Sequence, residues 1–588
     1  MKHFAKVSSR LLAASLAAVQ LFTSAAGAAF SNGFTYSYPV GEGLTYTRSE
    51  GKNSAGVQRA NILTYRPNTG VSPIMVYADE QLYGSSATIT NAVKYLESQG
   101  KSVIGGTNAD FFVMSSGVPI GLVIDEGELI SSDAWQYAVG FKADGSAVMG
   151  RPTMSMTVSG ASGTVSVSYF NKTRTTAGAY LLDRNYDDST HFTANGTNII
   201  LERVDDTPVT VNGTVKMKVI NKGTGNSPLT ITDDQMVLTK SDGANVPSWV
   251  DFPVGEEVTL KVTANDANWA DVDYAVGGKL LIDNGSVTTS GIDGGSSNRA
   301  RSAIGVRSDG TVVLYEVDGN QSSHSVGLTA AQLGEELVSL GCVRAICLDG
   351  GGSSAMALRR PGESTASLIT SPSDGSQRAC ANYIFFINHV TSDNVTAYAF
   401  LTPSYRYVLP GASTWFSVKG ADASYGPAPD PSGMSYTVSG DLGTVENQTF
   451  TAGTATGTAT ITATCGSVTA TTNVTVMSIP NSSTGTASTG SSNSGQVVTV
   501  NPSYVVLKPG ATRTLTASVK PSSASQKFTY KSANSNIATV SPSGVITAVG
   551  TGATSITVSN GTASAMVTVI VNRSAASSSD NSSDSSST

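Results

Sequence analysis

The sequence predicts a mixed α+β domain with a mostly β core, followed by two all-β immunoglobulin-like sandwiches. Three observations lead to this prediction. The chain has 588 residues, too many for one hydrophobic core, so several domains are expected. Alternating polar and apolar residues are common, whereas helical periodicity is rare. Thr, Ser, Val and Gly dominate the second half, which favours short strands joined by tight turns.

Residues 1–28 have the organisation of a secretory signal peptide. Three basic residues precede an apolar centre over 11–22, and a small-residue cleavage sequence, Ala-Gly-Ala, follows at 26–28. The apolar run is short for a membrane span, and no later segment approaches about 18 uninterrupted apolar residues. We therefore expect a secreted protein, extracellular or associated with the cell surface, that has no transmembrane helix.

Low-complexity segments and a diverged repeat divide the rest of the chain. We place the α+β domain at 30–390, a Ser/Thr/Gly linker at 480–496 and a disordered Ser-rich tail at 573–588. Two related units at 393–478 and 497–572 share Pro-Gly turns and alternating Thr/Val strands, which predicts two Ig-like β-sandwiches. The second unit resembles the bacterial Ig-like domain of group 2. A spacer role is expected for both units, with carbohydrate or wall binding as the alternative.

Charge and cysteine usage narrow the function classes. The net charge of −7, without a basic cluster, argues against nucleic acid as a partner. Four cysteines, Cys342, Cys347, Cys380 and Cys465, are too few for a disulfide-stapled scaffold and form no CxxC pair. Together with four scattered histidines, they lack the spacing of a zinc site. Buried free thiols are the preferred interpretation, and a bridge from Cys380 to Cys342 or Cys347 is the alternative.

Two segments of the first domain show the period of an amphipathic helix. In ATITNAVKYLESQG, the apolar residues Ile89, Val93 and Leu96 share one face, and Gly100 ends the segment. In TAAQLGEELVSLGC, Thr329 is the expected N-cap of a helix with an apolar stripe of leucines. Most other segments alternate at period two, so we expect a sheet to carry the functional site.

The segment CLDGGGSSAMAL has the composition of a binding site. Residues 343–348 form a short apolar run that predicts a buried strand, with Asp349 at its carboxyl end. The next five residues combine a bare backbone, whose N–H groups can form an anion-binding nest, with two hydroxyl donors: Gly350, Gly351, Gly352, Ser353 and Ser354. This suits a phosphate or a polar sugar. The structural alternative is a glycine-rich hairpin capped by Asp349, and a nucleotide P-loop is excluded because no Lys follows the glycines.

Three further polar residues lie at predicted strand ends or turns. Asn108 and Asp110, in GGTNADFF, are two apart and would share one face of a strand, although a turn also explains them. Asp318 ends the strand TVVLYEV and precedes a polar loop that contains His324. A turn-forming role is the structural alternative for Asp318.

The order of these motifs resembles that of a known family. They appear here as NADFF, GVPIGLVIDEGEL, AVGGKLLIDNG, RSAIGVRSDGTVVLYEVDG, GLTAAQLGEELVSLG, LDGGGSSAMA and SDGSQRACANYIFFI. This order is similar to that of the phosphodiester glycosidase domain, the family that includes the lysosomal uncovering enzyme. The resemblance covers residues 105–387, and LDGGGSS followed by a small residue and Met is its most specific part.

The resemblance implies hydrolysis of the bond between a sugar's anomeric carbon and a phosphodiester; in the uncovering enzyme the sugar is N-acetylglucosamine. By motif position it implies a site made of Asn108, Asp110, Arg301, Asp318, Asp349, Gly350 to Ser354 and Arg378. We expect Asp349 to act as base or nucleophile, with Asp318 or Asp110 as its partner. Arg301 and Arg378 would bind the phosphate, with structural ion pairing as their alternative. Many relatives have glycine where Asp110 stands, so this acid is a lineage feature or an additional ligand.

Cofactors and partners follow from the same resemblance. The sequence identifies no cofactor with certainty, and the alternative is a divalent cation, Ca²⁺ or Mg²⁺, held by Asp110, Asp318 and Asp349. The expected partner is a phosphorylated glycan or a cell-envelope polymer. The alternative function is a non-catalytic cell-surface protein that binds phosphorylated glycans or the cell wall, and a purely structural wall protein is a third hypothesis.

Overall fold

A computed structural model describes residues 30–571 apart from short gaps. The gaps are 78–80, 134–135, 176, 323, 403–404, 409–411, 454, 477–495, 503, 551 and 562. The predicted signal peptide, the Ser-rich tail and all but one residue of the predicted linker lie outside the described residues. The chain divides into two units, the first holding residues up to 397 together with 420–429 and the second holding the remainder.

The first unit is mostly β, as predicted, and both predicted helices are confirmed. Helix α1 (Ile89–Ser98) follows the N-cap Thr88, and helix α2 (Ala330–Ser339) begins with a capping box between Thr329 and Gln332. The strands are β1 (Ser31–Gly41), β2 (Leu44–Asn53), β3 (Gly56–Tyr65), β4 (Val71–Tyr77), β5 (Ser102–Asn108), β6 (Val123–Asp125), β7 (Glu128–Ser131), β8 (Tyr137–Lys142), β9 (Ala147–Gly150), β10 (Met154–Gly160), β11 (Gly163–Val167), β12 (Tyr169–Phe170), β13 (Tyr180–Leu182), β14 (Gly196–Arg203), β15 (Thr214–Gly225), β16 (Gln235–Ser241), β17 (Glu257–Ala264), β18 (Val272–Asp283), β19 (Ser286–Val287), β20 (Arg301–Arg307), β21 (Val312–Val317), β22 (Cys342–Cys347), β23 (Met356–Leu358), β24 (Ser367–Leu368) and β25 (Asn382–Asn388).

The largest sheet of this unit has the order β1-β2-β3-β21-β20-β22-β18-β6-β7, and the long strand β18 also pairs with β19 and β8, which in turn pairs with β9. Helix α2 covers one face, where its buried Leu333 and Leu337 share an apolar core with Tyr315 and Ala345. Because β21 and β22 both run antiparallel to β20, they are parallel to each other and end at the same edge of the sheet.

Two further sheets complete the first unit. One has the order β24-β23-β5-β25-β4, and α1 packs on it through Ile89, Val93 and Leu96 in a core that includes Phe385. The other has the order β11-β10-β17-β15-β14-β16-β13-β12 and a core of its own around Trp269. Residues 154–264 supply all eight strands of this sheet and lie between β9 and β18 of the largest sheet. Within the described residues no helix is long and apolar enough to cross a membrane.

The second unit contains two separate apolar cores, one formed by residues between 399 and 476 and one by residues between 498 and 571. Each core lies among short strands, as predicted for Ig-like sandwiches. The strands after residue 397 are β26 (Tyr398–Thr402), β27 (Tyr405–Val408), β28 (Ser413–Trp415), β29 (Ser417–Ala421), β30 (Pro427–Ala428), β31 (Ser435–Val438), β32 (Gly443–Glu446), β33 (Thr449–Ala452), β34 (Gly457–Cys465), β35 (Val468–Val476), β36 (Val497–Asn501), β37 (Tyr504–Leu507), β38 (Thr512–Thr514), β39 (Thr516–Lys520), β40 (Thr529–Ser532), β41 (Ala538–Val540), β42 (Val545–Ala548), β43 (Gly552–Ser559) and β44 (Ser564–Val571).

The two halves of this unit repeat one pairing pattern, which explains the sequence repeat. Strand β27 pairs in parallel with β35, which forms a hairpin with β34, and β37 pairs in parallel with β44, which forms a hairpin with β43. The four cysteines of the chain are free thiols, and Cys342, Cys347 and Cys380 are buried, in agreement with the preferred interpretation.

Candidate functional site

Asp349 lies at the carboxyl end of β22, as its sequence context predicts. Its backbone N–H donates to the Ala109 carbonyl over 2.9 Å, which joins the largest sheet to the turn after β5. Asp318 follows β21, two strands away at the same edge of the sheet. Since neighbouring strands are about 4.8 Å apart, the backbones of these two acids are separated by roughly 10 Å.

The glycine loop after Asp349, residues 350–354, packs its backbone against Arg378. Residues 351–353 form a 3₁₀ turn in which Gly351 has a φ of +63°, a conformation that favours glycine. A Cβ on Gly352 would overlap the Asp374 carboxylate and the Arg378 guanidinium. The loop is therefore bare because a charged pair lies directly against it, and it forms a short helical turn, not the glycine-rich hairpin that was the structural alternative.

Arg378 is the predicted phosphate ligand that the structure brings to Asp349. Its Nη1 donates to the Ser353 hydroxyl over 3.4 Å, and its Nη2 donates to the Asp374 carboxylate over 2.6 Å. The Asp349 carboxylate accepts the Gly350 N–H over 2.9 Å. Burial raises the pKa of Asp349 above its usual value, while hydrogen bonds from Ser353 and Gly350 and the charge of Arg378 oppose that rise. A half-buried carboxylate, a backbone N–H and a partly exposed guanidinium thus lie together.

Asn108 is a positioning residue, which corrects the predicted contact with substrate. Its side chain is fully buried, its Nδ2 donates to the Asp349 carbonyl over 2.8 Å, and its Oδ1 accepts from the Ser302 hydroxyl and from the Ala355 N–H at 2.7 and 3.1 Å. One amide therefore holds both ends of the glycine loop. Ser354 is also buried and not available to substrate, since it is 3% exposed.

Asp110 approaches Asp349 from the turn after β5. Its carboxylate accepts the Gly121 N–H at Oδ2 over 2.7 Å, and its Oδ1 is buried with no hydrogen-bond partner among the described residues. Lys172, also buried, donates its Nζ to the carbonyls of Pro119 and Gly121 at 2.7 and 2.8 Å. Burial raises the pKa of Asp110 to about 7, and the Lys172 charge opposes that rise while the Asp349 charge adds to it.

This buried acid predicts how stability depends on pH. The folded-state pKa of Asp110, about 7, lies above its ordinary value of 3.8, so the folded state favours the protonated form. The contribution of this carboxyl to the free energy of unfolding is therefore full below about pH 4 and is lost as the pH rises through 7. We expect the free energy of unfolding of Asp110→Asn, relative to wild type, to increase by at least about 1 kcal/mol between pH 4 and pH 8.

Urea titrations at several pH values measure this difference. The control is Asp206→Asn, which alters an exposed carboxyl and should follow the wild-type pH profile. A constant difference between Asp110→Asn and wild type across this range would show that the carboxyl titrates in the folded state as it does in the unfolded chain.

Arg301 does not bind at the loop, which corrects the second predicted phosphate contact. Its side chain is 2% exposed, and its Nε donates to the Leu328 carbonyl over 2.6 Å. Its Nη2 donates to the carbonyls of Gly294 and Ser297 at 2.8 and 2.9 Å. The guanidinium therefore joins two backbone segments through their carbonyls and has a structural role, although not the ion pairing that was the structural alternative.

Asp318 is buried in a dyad with a histidine. The Asp318 carboxylate contacts His324 Nε2 at 2.7 Å and accepts the Ser371 N–H over 2.7 Å, while His324 Nδ1 lies 3.0 Å from a terminal nitrogen of Arg59. Since an arginine only donates, Nδ1 accepts and Nε2 carries the proton in this arrangement. Both oxygens of Asp318 are thus engaged, which weakens its predicted role as a free catalytic carboxylate.

The three predicted acids do not form one ligand set. Among the described residues no group of three or more His, Cys, Asp or Glu side chains is arranged to hold a metal ion. Asp318 is bound by His324 and Ser371, and Asp110 is bound by Gly121. Of the three acids, Asp110 and Asp349 are the pair in which the charge of one affects the pKa of the other. A divalent cation stays an untested prediction.

The structure adds three residues that the sequence did not single out as part of the site. Asp374 pairs with Arg378 four residues later, a spacing visible in SDGSQR, and His324 is near enough in sequence to Asp318 to be suspected. Lys172 carries no such signal, because it is 62 residues from Asp110 in the chain and only the fold brings it there.

Comparisons with known proteins agree with the resemblance in the sequence. Residues 205–387 match the family described as Phosphodiester glycosidase, and residues 496–571 match the Bacterial Ig-like domain (group 2). The first match contains Asp349 and Arg378 and begins 100 residues later than the resemblance in the sequence. Uncharacterized protein YomE, derived from the SPbeta prophage of Bacillus subtilis, is 46% identical over 79 residues, or 13% of this chain and 11% of that protein. The match therefore spans about a tenth of that relative.

Three solved structures similar to this chain have sequence identities of 20% or less. A hypothetical protein from Synechocystis has a TM-score of 0.50 and 20% identity, covering 59% of this chain and 62% of that one, and shows a shared fold. A putative exported protein from Burkholderia pseudomallei has a TM-score of 0.44 and 18% identity, covering 56% and 74%. The catalytic domain of zebrafish N-acetylglucosamine-1-phosphodiester alpha-N-acetylglucosaminidase has a TM-score of 0.32 and 13% identity, covering 62% and 87%. The family matches therefore show similarity to the phosphodiester glycosidase family over residues 205–387 and to the bacterial Ig-like domain of group 2 over residues 496–571.

Proposed function

We propose that this chain is a secreted hydrolase that cleaves the glycosidic bond between a sugar, such as N-acetylglucosamine, and a phosphodiester in a glycan or cell-envelope polymer. One observation carries the proposal: the Asp349 carboxylate lies beside the Gly350 N–H and within the electrostatic influence of Arg378. Export rests on the signal-peptide pattern of residues 1–28.

The chemistry of this bond suits the groups at the loop. A sugar phosphodiester leaves as a phosphate monoester, whose oxygen needs little or no protonation, so a strong general acid is not required. Useful groups are a carboxylate at the anomeric carbon and donors on the leaving phosphate. Asp349 supplies the carboxylate as base or nucleophile, and Arg378 supplies a guanidinium that matches phosphate oxygens.

Asp110 is the better candidate for the partner acid. Burial raises its pKa to about 7, and the charge of Asp349 adds to that rise. Because Asp110 is 1% exposed, it would support Asp349 from the turn after β5 without touching the substrate. Asp318 supports the same edge through its contact with Ser371, which belongs to the segment that continues to Arg378.

Substitution of Arg378 tests the proposed phosphate contact. On an N-acetylglucosamine-1-phosphodiester, we expect Arg378→Gln to lower kcat/KM by about 100-fold and Arg378→Lys by about 10-fold, because lysine retains the charge but not the planar fork. Release of free sugar is the measurement. The control is Arg66→Gln, which alters a side chain that is 76% exposed.

The outcomes separate the hypotheses. Equal kcat/KM for Arg378→Gln and wild type would remove Arg378 from the site. No sugar release by wild type from a panel of sugar phosphodiesters, with binding of the same compounds retained, would overturn the hydrolase and favour a binding protein for phosphorylated glycans.

A further inference from the structure

A large cleft lies beside α1 in the first unit, outside the glycine loop. It has a volume of about 1070 Å³, which is ample for a ligand larger than one sugar. Its wall includes Tyr77 from β4, Tyr95 from α1, Gln99 at the C-cap of α1, and Glu126 from the turn between β6 and β7. We call it the α1 cleft. Tyrosine rings with amide and carboxyl groups around them are a lining that suits a polar ligand with apolar faces.

The charges of the α1 cleft select against anions. Among its described lining residues, four are carboxylates and two are cations: Asp125, Glu126, Glu128 and Asp233 against Lys101 and Arg184. The cations already form ion pairs, Lys101 with Glu126 at 3.6 Å and Arg184 with Asp233 at 3.3 Å. A phosphate placed here would meet excess negative charge, whereas hydroxyl and amino groups would find acceptors.

A second, smaller cleft adjoins the α1 cleft. It has a volume of about 210 Å³ and shares Tyr77 and Tyr95 with the larger cleft. Its lining also includes Tyr383, which donates its hydroxyl to the Ala87 carbonyl over 2.6 Å, and Ala87 forms a backbone bridge with Cys380. The Cys380 thiol contacts the Ser353 carbonyl, inside the loop that carries the proposed site.

Helix α1 contacts the segment of Arg378 near one end and lines the α1 cleft near the other. Near its first turn Thr90 donates its hydroxyl to Gln377, the neighbour of Arg378, and near its last turn Tyr95 and Gln99 line the α1 cleft. Ten helical residues span about 15 Å, which is longer than a single sugar ring. A ligand that reaches from the glycine loop to the α1 cleft is therefore an oligomer.

We infer that the α1 cleft binds an uncharged or amino-bearing glycan segment of the substrate, so that this protein acts on polymers in preference to single sugar phosphodiesters. The inference rests on the proposed function for its catalytic consequence. It extends that function, because none of the residues predicted from sequence lines this cleft.

The experiment compares substrates and a blocked cleft. Two phosphodiesters carry one or four N-acetylglucosamine units, and Gln99→Trp places an indole in the α1 cleft. We expect wild-type kcat/KM to be about tenfold higher for the four-unit substrate, and the ratio to fall to about one in Gln99→Trp. The matched control is Lys94→Trp, which places the same side chain on an exposed position of α1 and should retain the wild-type ratio.

A binding measurement on Asp349→Asn separates this inference from the proposed function. The probe is the neutral N-acetylglucosamine tetramer, and we expect Asp349→Asn with Gln99→Trp to bind it about tenfold more weakly than Asp349→Asn alone. Equal binding by the two variants, with the one-unit substrate still cleaved by wild type, overturns the proposed glycan site in the α1 cleft and leaves the proposed hydrolase function in place. Weaker binding in the blocked variant, with neither substrate cleaved, supports the cleft and overturns the hydrolase.

Discussion

Asp349→Asn is expected to lower kcat/KM on a sugar phosphodiester by about 1,000-fold. Asparagine has nearly the shape of aspartate and retains an oxygen that can accept the Gly350 N–H, which Asp349 accepts at 2.9 Å in wild type. It has no charge and no basicity, so it can serve neither as base nor as nucleophile. Loss of a positioned acid–base group typically reduces rates by 10²- to 10⁴-fold. Release of free sugar measures the effect.

The chain offers a matched control for this variant. The segment IDGGSS at 292–297 repeats the sequence type of the glycine loop, and Asp293 in it is exposed. Asp293→Asn should leave kcat/KM within about twofold of wild type, because this acid lies outside the proposed site. Turnover by Asp349→Asn within a few-fold of wild type would remove Asp349 from the proposed mechanism.

Asn108→Ala is expected to lower the free energy of unfolding by about 3 kcal/mol and to reduce activity as well. Alanine removes the partner of the Asp349 carbonyl, the Ser302 hydroxyl and the Ala355 N–H, all held by one buried amide. Each buried polar group left without a partner costs about 1–3 kcal/mol, and relaxation of the loop recovers part of the total. Denaturant titration measures the stability, and sugar release measures the activity.

Two comparisons make the result specific. Asn226→Ala removes an exposed asparagine in the turn after β15 and should change stability by less than about 0.5 kcal/mol. Asn108→Asp keeps an oxygen for Ser302 and Ala355 but cannot donate to the Asp349 carbonyl. If Asn108→Ala unfolds at the same urea concentration as wild type, the glycine loop does not depend on this amide.

Local features of the fold could be predicted from sequence because their causes are local. The helix that follows Thr329 has its cap, its capping-box partner and its apolar stripe within eleven residues. The position of Asp349 follows from a short apolar run that ends at a glycine loop. The eight-stranded sheet had no such signal, because its strands alternate at period two like those of the other sheets and only the pairing separates them.

The side chains of the site were harder to predict because their partners are distant in sequence. Arg301 and Arg378 look equivalent as cations within family motifs, but one is surrounded by backbone carbonyls and the other lies half-exposed beside Ser353. Asp110 and Lys172 meet only through the fold. Residue type therefore indicated the chemistry available, and tertiary packing decided which groups are free to perform it.

The way the first unit pairs its strands has a consequence for how the protein is made. Strand β3 pairs with β21, and β5 pairs with β23 and β25. These early strands therefore pair with strands that lie more than 200 residues later in the chain. A chain emerging from the ribosome cannot complete the largest sheet until about residue 347 has been synthesised, or the sheet of β5 until about residue 388. Contacts of such long range fold slowly. Until then these early strands stay unpaired, and their exposed edges are open to pairing with other strands.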